Sequence, residues 1–429
     1  MTDYQVVAVK GRRVWDSRGR PTVESEVRLA GGGFGRAIAP AGASTGSGEA
    51  VDRRDGGAPF GGMDVKGAVA AVEAELAPAI AGLDAREQAV VDQAMIAVDG
   101  SSDRSVVGAN AIVATSMAVA WAAADQAKEP LWRYLGGEMK RMPLPEIQIF
   151  GGGAHAGRRV DVQDFLLICP GAESFAQALD WTAEVYRAAG AIMAERGLAM
   201  GVADEGGFWP AFDANEAALD ALALAIERAG FRAPDQVAIA LDIASSEFGK
   251  GGVYKLALED RALDSEAMGS LIVDWTTRYP ILSVEDPLAE DDWPGMSSLT
   301  ARIGESVQIV GDDFLVTDAV RVRRAADEKA ANCVLLKPNQ RGTLTETLSA
   351  WEAAKEADMG AIVSARSGET EDVTIIHLAV GWGVPQFKVG SFTRSERMAK
   401  WNEALRIEEA LGVEASFAGF DALRSSGGR

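Results

Sequence analysis

Between Thr22 and Leu29 apolar and polar positions alternate. Val23, Val27 and Leu29 share one face, and Glu24, Glu26 and Arg28 share the other. Successive side chains of a strand point to opposite faces, so this stretch predicts a half-buried β-strand. The turn-like run Asp16 to Pro21 precedes it. After it, the glycine-rich Gly31 to Gly35 leads to another short strand and then to the loop Pro40 to Gly46. Ala-rich helical patterns follow near 65–82, 86–97 and 108–127. The longest apolar stretch, Ala109 to Ala124, is broken by Asn110, Thr115 and Ser116, which reads as a buried helix and not a membrane span. These elements predict a small α+β domain.

From about Pro143 short apolar runs alternate with longer amphipathic ones. The predicted strands are Gln163 to Ile168, Val237 to Asp242, Ile281 to Glu285, Val307 to Asp312, Cys333 to Lys337, Ala361 to Arg366 and Phe387 to Val389. Helical stretches such as Phe175 to Arg196, Thr343 to Ala357 and Arg394 to Leu411 lie between them. Strand and helix alternating this often predicts an α/β fold with a parallel sheet, closed into a (β/α)8 barrel. The chain is expected to divide at residue 138, into a small α+β domain over 1–138 and a barrel over 139–429. A Gly-rich tail from Ser425 is expected to fray.

The 429 residues carry 42 Lys+Arg against 63 Asp+Glu, a net charge of −21. That balance argues against nucleic acid as a partner, since phosphate backbones need clustered cations. It suits a protein that binds cations. With 48% hydrophobic residues a sizeable core is available, and two cysteines rule out a disulfide scaffold. The N-terminus lacks a secretory pattern, so a reducing, cytoplasmic setting with no membrane partner is expected.

The predicted strands end at charged residues. Asp242 closes ALDIAS, Glu285 stands in LSVEDP and Asp312 in IVGDD; Lys337, Arg366 and Lys388 end the later ones. In a barrel all these ends meet at one face. Asp242, Glu285 and Asp312 are hard oxygen donors without His or Cys, which suits Mg²⁺ over zinc. The alternative is that each acid caps the helix after it. Arg366 with Ser367 and Gly368 forms a natural anion clamp. Lys337 beside a divalent metal would have its pKa lowered and become available as a base, and Lys388 could hold a substrate carboxylate. Salt bridges to the acids are the alternative for both lysines. Glu205, in Asp204-Glu205-Gly206-Gly207, is either a turn residue or a general acid; His155, in GGGAHAG, is equally open. His377, in TIIHLAV, reads as structural.

The strings DSRGRPTVE, GASTG, ADEGG, SVEDPLAEDDW, VGDDFLVT, LLKPNQRGTL, SARSGETED and TRSER resemble the enolase family in order and over nearly the whole chain. The resemblance implies a small N-terminal domain capping a variant barrel, commonly in a dimer or larger homo-oligomer. It also implies two Mg²⁺ sites and chemistry on 2-phosphoglycerate or phosphoenolpyruvate. By position, Asp242, Glu285 and Asp312 match the tight Mg²⁺ ligands, and Ser44 the ligand that helps complete a second site when substrate binds. Lys337 matches the base and Glu205 the acid that assists departure of the hydroxyl. Arg366 and Ser367 match the phosphate clamp, and Lys388 a carboxylate contact.

The departures have a direction. The usual SHRSGETED reads Ser364-Ala365-Arg366 here, so an active-site His is Ala365. The usual QEF is Gln163-Asp164-Phe165, which shortens a carboxylate at the reacting end. Asn-Gly-Gly before His155 is Gly151-Gly152-Gly153, and the PSGASTG serine is Ala41. Arg158, Arg159 and Arg341 add cations on loops expected near the pocket mouth. This pattern fits a pocket enlarged for a second, anionic substrate, a phosphonate or nucleotide. One diverged branch of the family matches it: the carboxyphosphonoenolpyruvate synthases of phosphinate antibiotic pathways, which join a carboxyphosphono group from activated phosphonoformate to the enolpyruvyl skeleton. The alternatives are an authentic enolase with a modified pocket, and a non-catalytic binding protein on the same frame.

Overall fold

The computed structural model describes residues 2–43, 45–136 and 140–423. Ser44, the division expected at residue 138 and the tail from Ser425 fall outside the described residues. The chain opens with an antiparallel sheet of Val6–Trp15, Pro21–Leu29 and Phe34–Ile38, in that order. Val23, Val27 and Leu29 are buried as the alternation predicts. Glu24, expected on the polar face, is buried as well, held by ion pairs to Arg12 and Arg36. The sheet packs against the helix Ala109–Ala127, nearly all of whose side chains are buried. The approach is close because of Gly35, where a Cβ would lie 2.0 Å from the Ala118 carbonyl oxygen.

Eight strands then close a barrel. In chain order they are Leu144–Gly151, Asp164–Ile168, Ala238–Asp242, Ile281–Glu285, Gln308–Gly311, Cys333–Leu336, Gly360–Ser364 and Gln386–Ser391. The sequence misses the first of these because it carries Pro145, Glu146 and Gln148, which break its apolar run. All three are nonetheless buried. The expectation of a wholly parallel barrel needs one correction. Asp164–Ile168 runs antiparallel to both its neighbours, while the remaining pairs are parallel.

That reversal has a consequence for the site. Asp164, the first residue of its strand, pairs with Asp242, the last residue of the next. Its carboxylate therefore reaches the face where the parallel strands end. The N-terminal domain lies over this face: Ala41 and Gly368 exchange backbone hydrogen bonds at 2.9 Å. Among the described residues no helix is long and apolar enough to cross a membrane.

Candidate active site

Asp242 and Glu285 close their strands, Asp312 follows the end of Gln308–Gly311, and Lys337 follows the end of Cys333–Leu336. All four are buried, as is Lys388 on the last strand. Lys388 Nζ lies 2.8 Å from both Asp242 Oδ2 and Glu285 Oε2. Lys337 Nζ makes a short contact with Asp312 Oδ2. The two lysines that spacing left unseparated thus serve different acids. Gln163 donates to Asp242 Oδ2 at 3.0 Å, and Gln340 to Asp312 Oδ1 at 2.8 Å.

Burial works to lower the pKa of both lysines, but their carboxylate partners outweigh it. Lys337 is raised, chiefly by Asp312, and Lys388 is held well above the usual lysine value by Asp242 and Glu285. The lowered Lys337 pKa expected beside a divalent metal concerns a different state from this one, in which Asp312 favours the charged amine. Glu285 is pushed well above the usual carboxylate range by burial and by the charge of Asp242. Its Oε1 is buried and has no hydrogen-bond partner among the described residues. The acids carry more negative charge than the lysines cover, and the uncovered donor is a carboxylate oxygen. Hard donors in this state fit a divalent cation such as magnesium.

The strand-end cavity brings together ten residues predicted from sequence. They are Asp242, Lys337, Lys388, Arg366, Ser367, Ala365, His155, Gln163, Asp164 and Glu205. His155 Nδ1 lies 3.1 Å from Asp164 Oδ1, and its Nε2 lies 3.8 Å from Glu205 Oε1. Burial works against its charged form, yet Asp164 and Glu205 push its pKa up to about 9, so at neutral pH it is an imidazolium. Glu205 is set in place by glycines. Gly390 has φ +116°, and a Cβ there would lie 3.0 Å from Glu205 Cβ. Arg366 is buried and donates to Glu49 Oε2 at 2.8 Å; Arg18 donates to Ser367 Oγ at 3.3 Å. Arg397, fully buried, donates to the carbonyls of Arg366 and Ser367 at 2.6 Å and so fixes the clamp's backbone.

The three added arginines stand elsewhere. Arg158, 69% exposed, pairs with Glu247, and Arg159 pairs with Asp213. Arg341 is held by Asp318 at 3.0 Å and Glu346 at 3.4 Å. None of them lines the cavity. His377 is structural: its Nδ1 accepts from the Trp132 backbone at 3.3 Å and its Nε2 faces Glu403.

The predicted His155, Asp164 and Glu205 place ligand atoms within 4.8 Å of one another; so do the predicted Asp312 and two residues not expected from the sequence, Asp286 and Asp313. Asp286 and Asp313 directly follow Glu285 and Asp312, so adjacency was a usable signal. The Asp286 carboxylate accepts from the backbones of Asp312 and Asp313 at 2.9 and 2.8 Å, which fixes that strand end. Gln340 and Arg397 sit inside motifs that the sequence displays; Glu49 has no such signal.

Buried acids bridged by lysines, with Arg366 and Ser367 beside them at the mouth of a capped barrel, form a charged pocket that could take a cation and an anion. Residues 6–135 match the family description "Enolase, N-terminal domain", and residues 139–426 match "Enolase, C-terminal TIM barrel domain". Enolase 1 of Desulfitobacterium hafniense (strain Y51) is 46% identical over 421 residues, covering 97% of this chain and 96% of that protein. The chain belongs to the enolase family and is an enolase-superfamily enzyme.

Proposed function

We propose that the enzyme depends on magnesium and acts on a phosphorylated three-carbon acid of the 2-phosphoglycerate or phosphoenolpyruvate type. Asp242, Glu285 and Asp312 would hold the metal, and a second site, with Ser44 among its ligands, would be completed on substrate binding. Bound magnesium supplies positive charge against which a substrate carboxylate gains negative charge as the neighbouring carbon loses its proton. The other roles fall to the chain itself. Arg366 and Ser367 bind the phosphate, and Lys388 orients the carboxylate. Lys337 takes the proton once its contact with Asp312 has given way, because that contact keeps it an ammonium. Glu205 would assist departure of the hydroxyl, with His155 beside it at 3.8 Å.

The finer reading is a carboxyphosphonoenolpyruvate synthase, which joins a carboxyphosphono group from nucleotide-activated phosphonoformate to the enolpyruvyl skeleton. One observation supports it: Ala365, buried and lining the cavity between Ser364 and Arg366, stands where the family's pattern has a proton-handling imidazole. A methyl group there leaves room and removes an acid. The arginines add nothing to this reading, since they are paired outside the cavity. A second reading, dehydration of 2-phosphoglycerate, is supported by the His155–Glu205 pair and by the identity to a protein named Enolase 1. A cytoplasmic homo-oligomer completes the proposal; its two buried, unpaired thiols, Cys169 and Cys333, suit a reducing compartment.

The test is phosphorus NMR of the enzyme with Mg²⁺, phosphoenolpyruvate and a nucleotide-activated phosphonoformate. A new phosphonate resonance, absent with Asp242→Asn, is expected. No new resonance from folded, Mg²⁺-binding protein would reject the synthase reading.

A further inference from the structure

We propose that Glu49 is a positioning residue that ties the loop segment Thr45 to Ala50 to the anion clamp and, through Gln340, to Asp312. The proposal rests on the reading of Arg366 as the phosphate clamp. The Glu49 side chain is 7% exposed and that of Arg366 is 2% exposed. Two bonds join them, from Nη1 to Oε2 at 2.8 Å and from Nη2 to Oε1 at 3.3 Å. The same Oε1 accepts from the Gly46 backbone at 3.0 Å and from Gln340 Nε2 at 3.3 Å. Gln340 Nε2 also donates to Asp312 Oδ1 at 2.8 Å. One carboxylate therefore touches the loop, the guanidinium and the amide that orients a candidate metal ligand.

The loop is seated independently of Glu49. Ser47 donates to Glu290 from its backbone at 2.9 Å and its hydroxyl at 3.1 Å, and the Ala50 backbone donates to the Gln340 carbonyl at 2.7 Å. Gly46 fits against the barrel only without a side chain, since a Cβ would lie 2.6 Å from Val316 Cγ1. The placement of the guanidinium decides what Glu49 does. Arg366 lines both the strand-end cavity and a second cavity beneath the loop, whereas Glu49 lines only the second. Glu49, with Asn339 Oδ1 at 3.3 Å from Nη1, holds the guanidinium from the side of that second cavity, which both residues line. A planar guanidinium held at two nitrogens has its plane fixed, and burying it without a counter-charge would be costly. Glu49 supplies both needs, so a phosphate meets donors already aimed.

The experiment is calorimetric binding of phosphoenolpyruvate with Mg²⁺ to wild type, Glu49→Gln, Glu49→Asp and Arg366→Gln. Glu49→Gln keeps the shape and loses the charge, and is expected to bind about tenfold more weakly, the size of one charge-assisted bond. Glu49→Asp is expected to recover most of that loss, and both should melt within a few degrees of wild type. Unchanged affinity in Glu49→Gln overturns the proposal, as does tighter binding, which would make Glu49 a competitor of the phosphate. Should Glu49→Gln fail to fold, Glu49→Ala takes its place, and wild-type affinity in that variant overturns the proposal equally. If Arg366→Gln also binds normally, it is the clamp reading itself that fails; if only the Glu49 variants do, the clamp stands and the positioning role falls.

Discussion

At the scale of single residues, burial sets the chemistry of the acids around Lys388. Glu146 faces the barrel interior with one oxygen lacking a partner, and burial pushes its pKa from 4.5 to about 7 despite the nearby charge of Lys388. A carboxyl raised in the folded state contributes stability that is fully present below its unfolded value and is lost as pH rises through about 7. Glu146→Gln removes the titration. Its stabilising effect should grow between pH 5.5 and pH 8 by on the order of 2 kcal/mol, read from melting curves at the two pH values. A gain independent of pH would mean that Glu146 is ionised in the fold without penalty. Glu285 is raised by burial first and by the charge of Asp242 second, and its Oε1 has no hydrogen-bond partner among the described residues, a state that a cation would relieve.

At the scale of elements, the sequence shows strands whose apolar runs are short and uninterrupted, and their bounds hold within two residues in the barrel. It hides the strand Leu144–Gly151, because a barrel interior accepts Glu146 and Gln148 while a periodicity argument counts them as polar. It also hides direction: nothing in Gln163 to Ile168 says that the strand runs antiparallel, and only the pairing of Asp164 with Asp242 shows how an acid at a strand's start joins acids at strand ends. The metal-type acids, both lysines and the clamp were legible because strand ends repeat a pattern. Glu49 was not, since its role exists only through contacts more than 290 positions away. Loop geometry carries a prediction of its own. Gly390, at φ +116° and against Glu205 Cβ and Arg397 Cδ, has no room for a methyl group. Gly390→Ala is expected to lose roughly 1–3 kcal/mol of stability, read by thermal melting, and to lose ligand affinity with it. Wild-type melting and binding would show that Glu205 is not held by that strand.

At the scale of the whole molecule, a net charge of −21 surrounds a cavity where Lys337, Lys388 and Arg366 converge. The added arginines do not line this cavity: Arg158 is in an exposed ion pair of a kind that contributes little, and Arg341 is in a half-buried one. What sets the site apart from the family's pattern is a series of smaller side chains: Ala365 for an imidazole, Asp164 for a longer acid and Ala41 for a serine. General acid–base groups contribute about 10²–10⁴-fold, so the account predicts that dehydration of 2-phosphoglycerate is impaired by a factor of that order. The direct measurement is turnover of 2-phosphoglycerate at saturating Mg²⁺, followed by enolpyruvate absorbance, with EDTA as control and the protein's fold and Mg²⁺ binding checked in parallel. A rate roughly 10²–10⁴-fold below that of ordinary metabolic enzymes, from folded, Mg²⁺-binding enzyme, is the predicted result. An EDTA-sensitive rate in the ordinary range of metabolic enzymes, roughly 1–10³ s⁻¹, would contradict it and make the chain a working dehydratase.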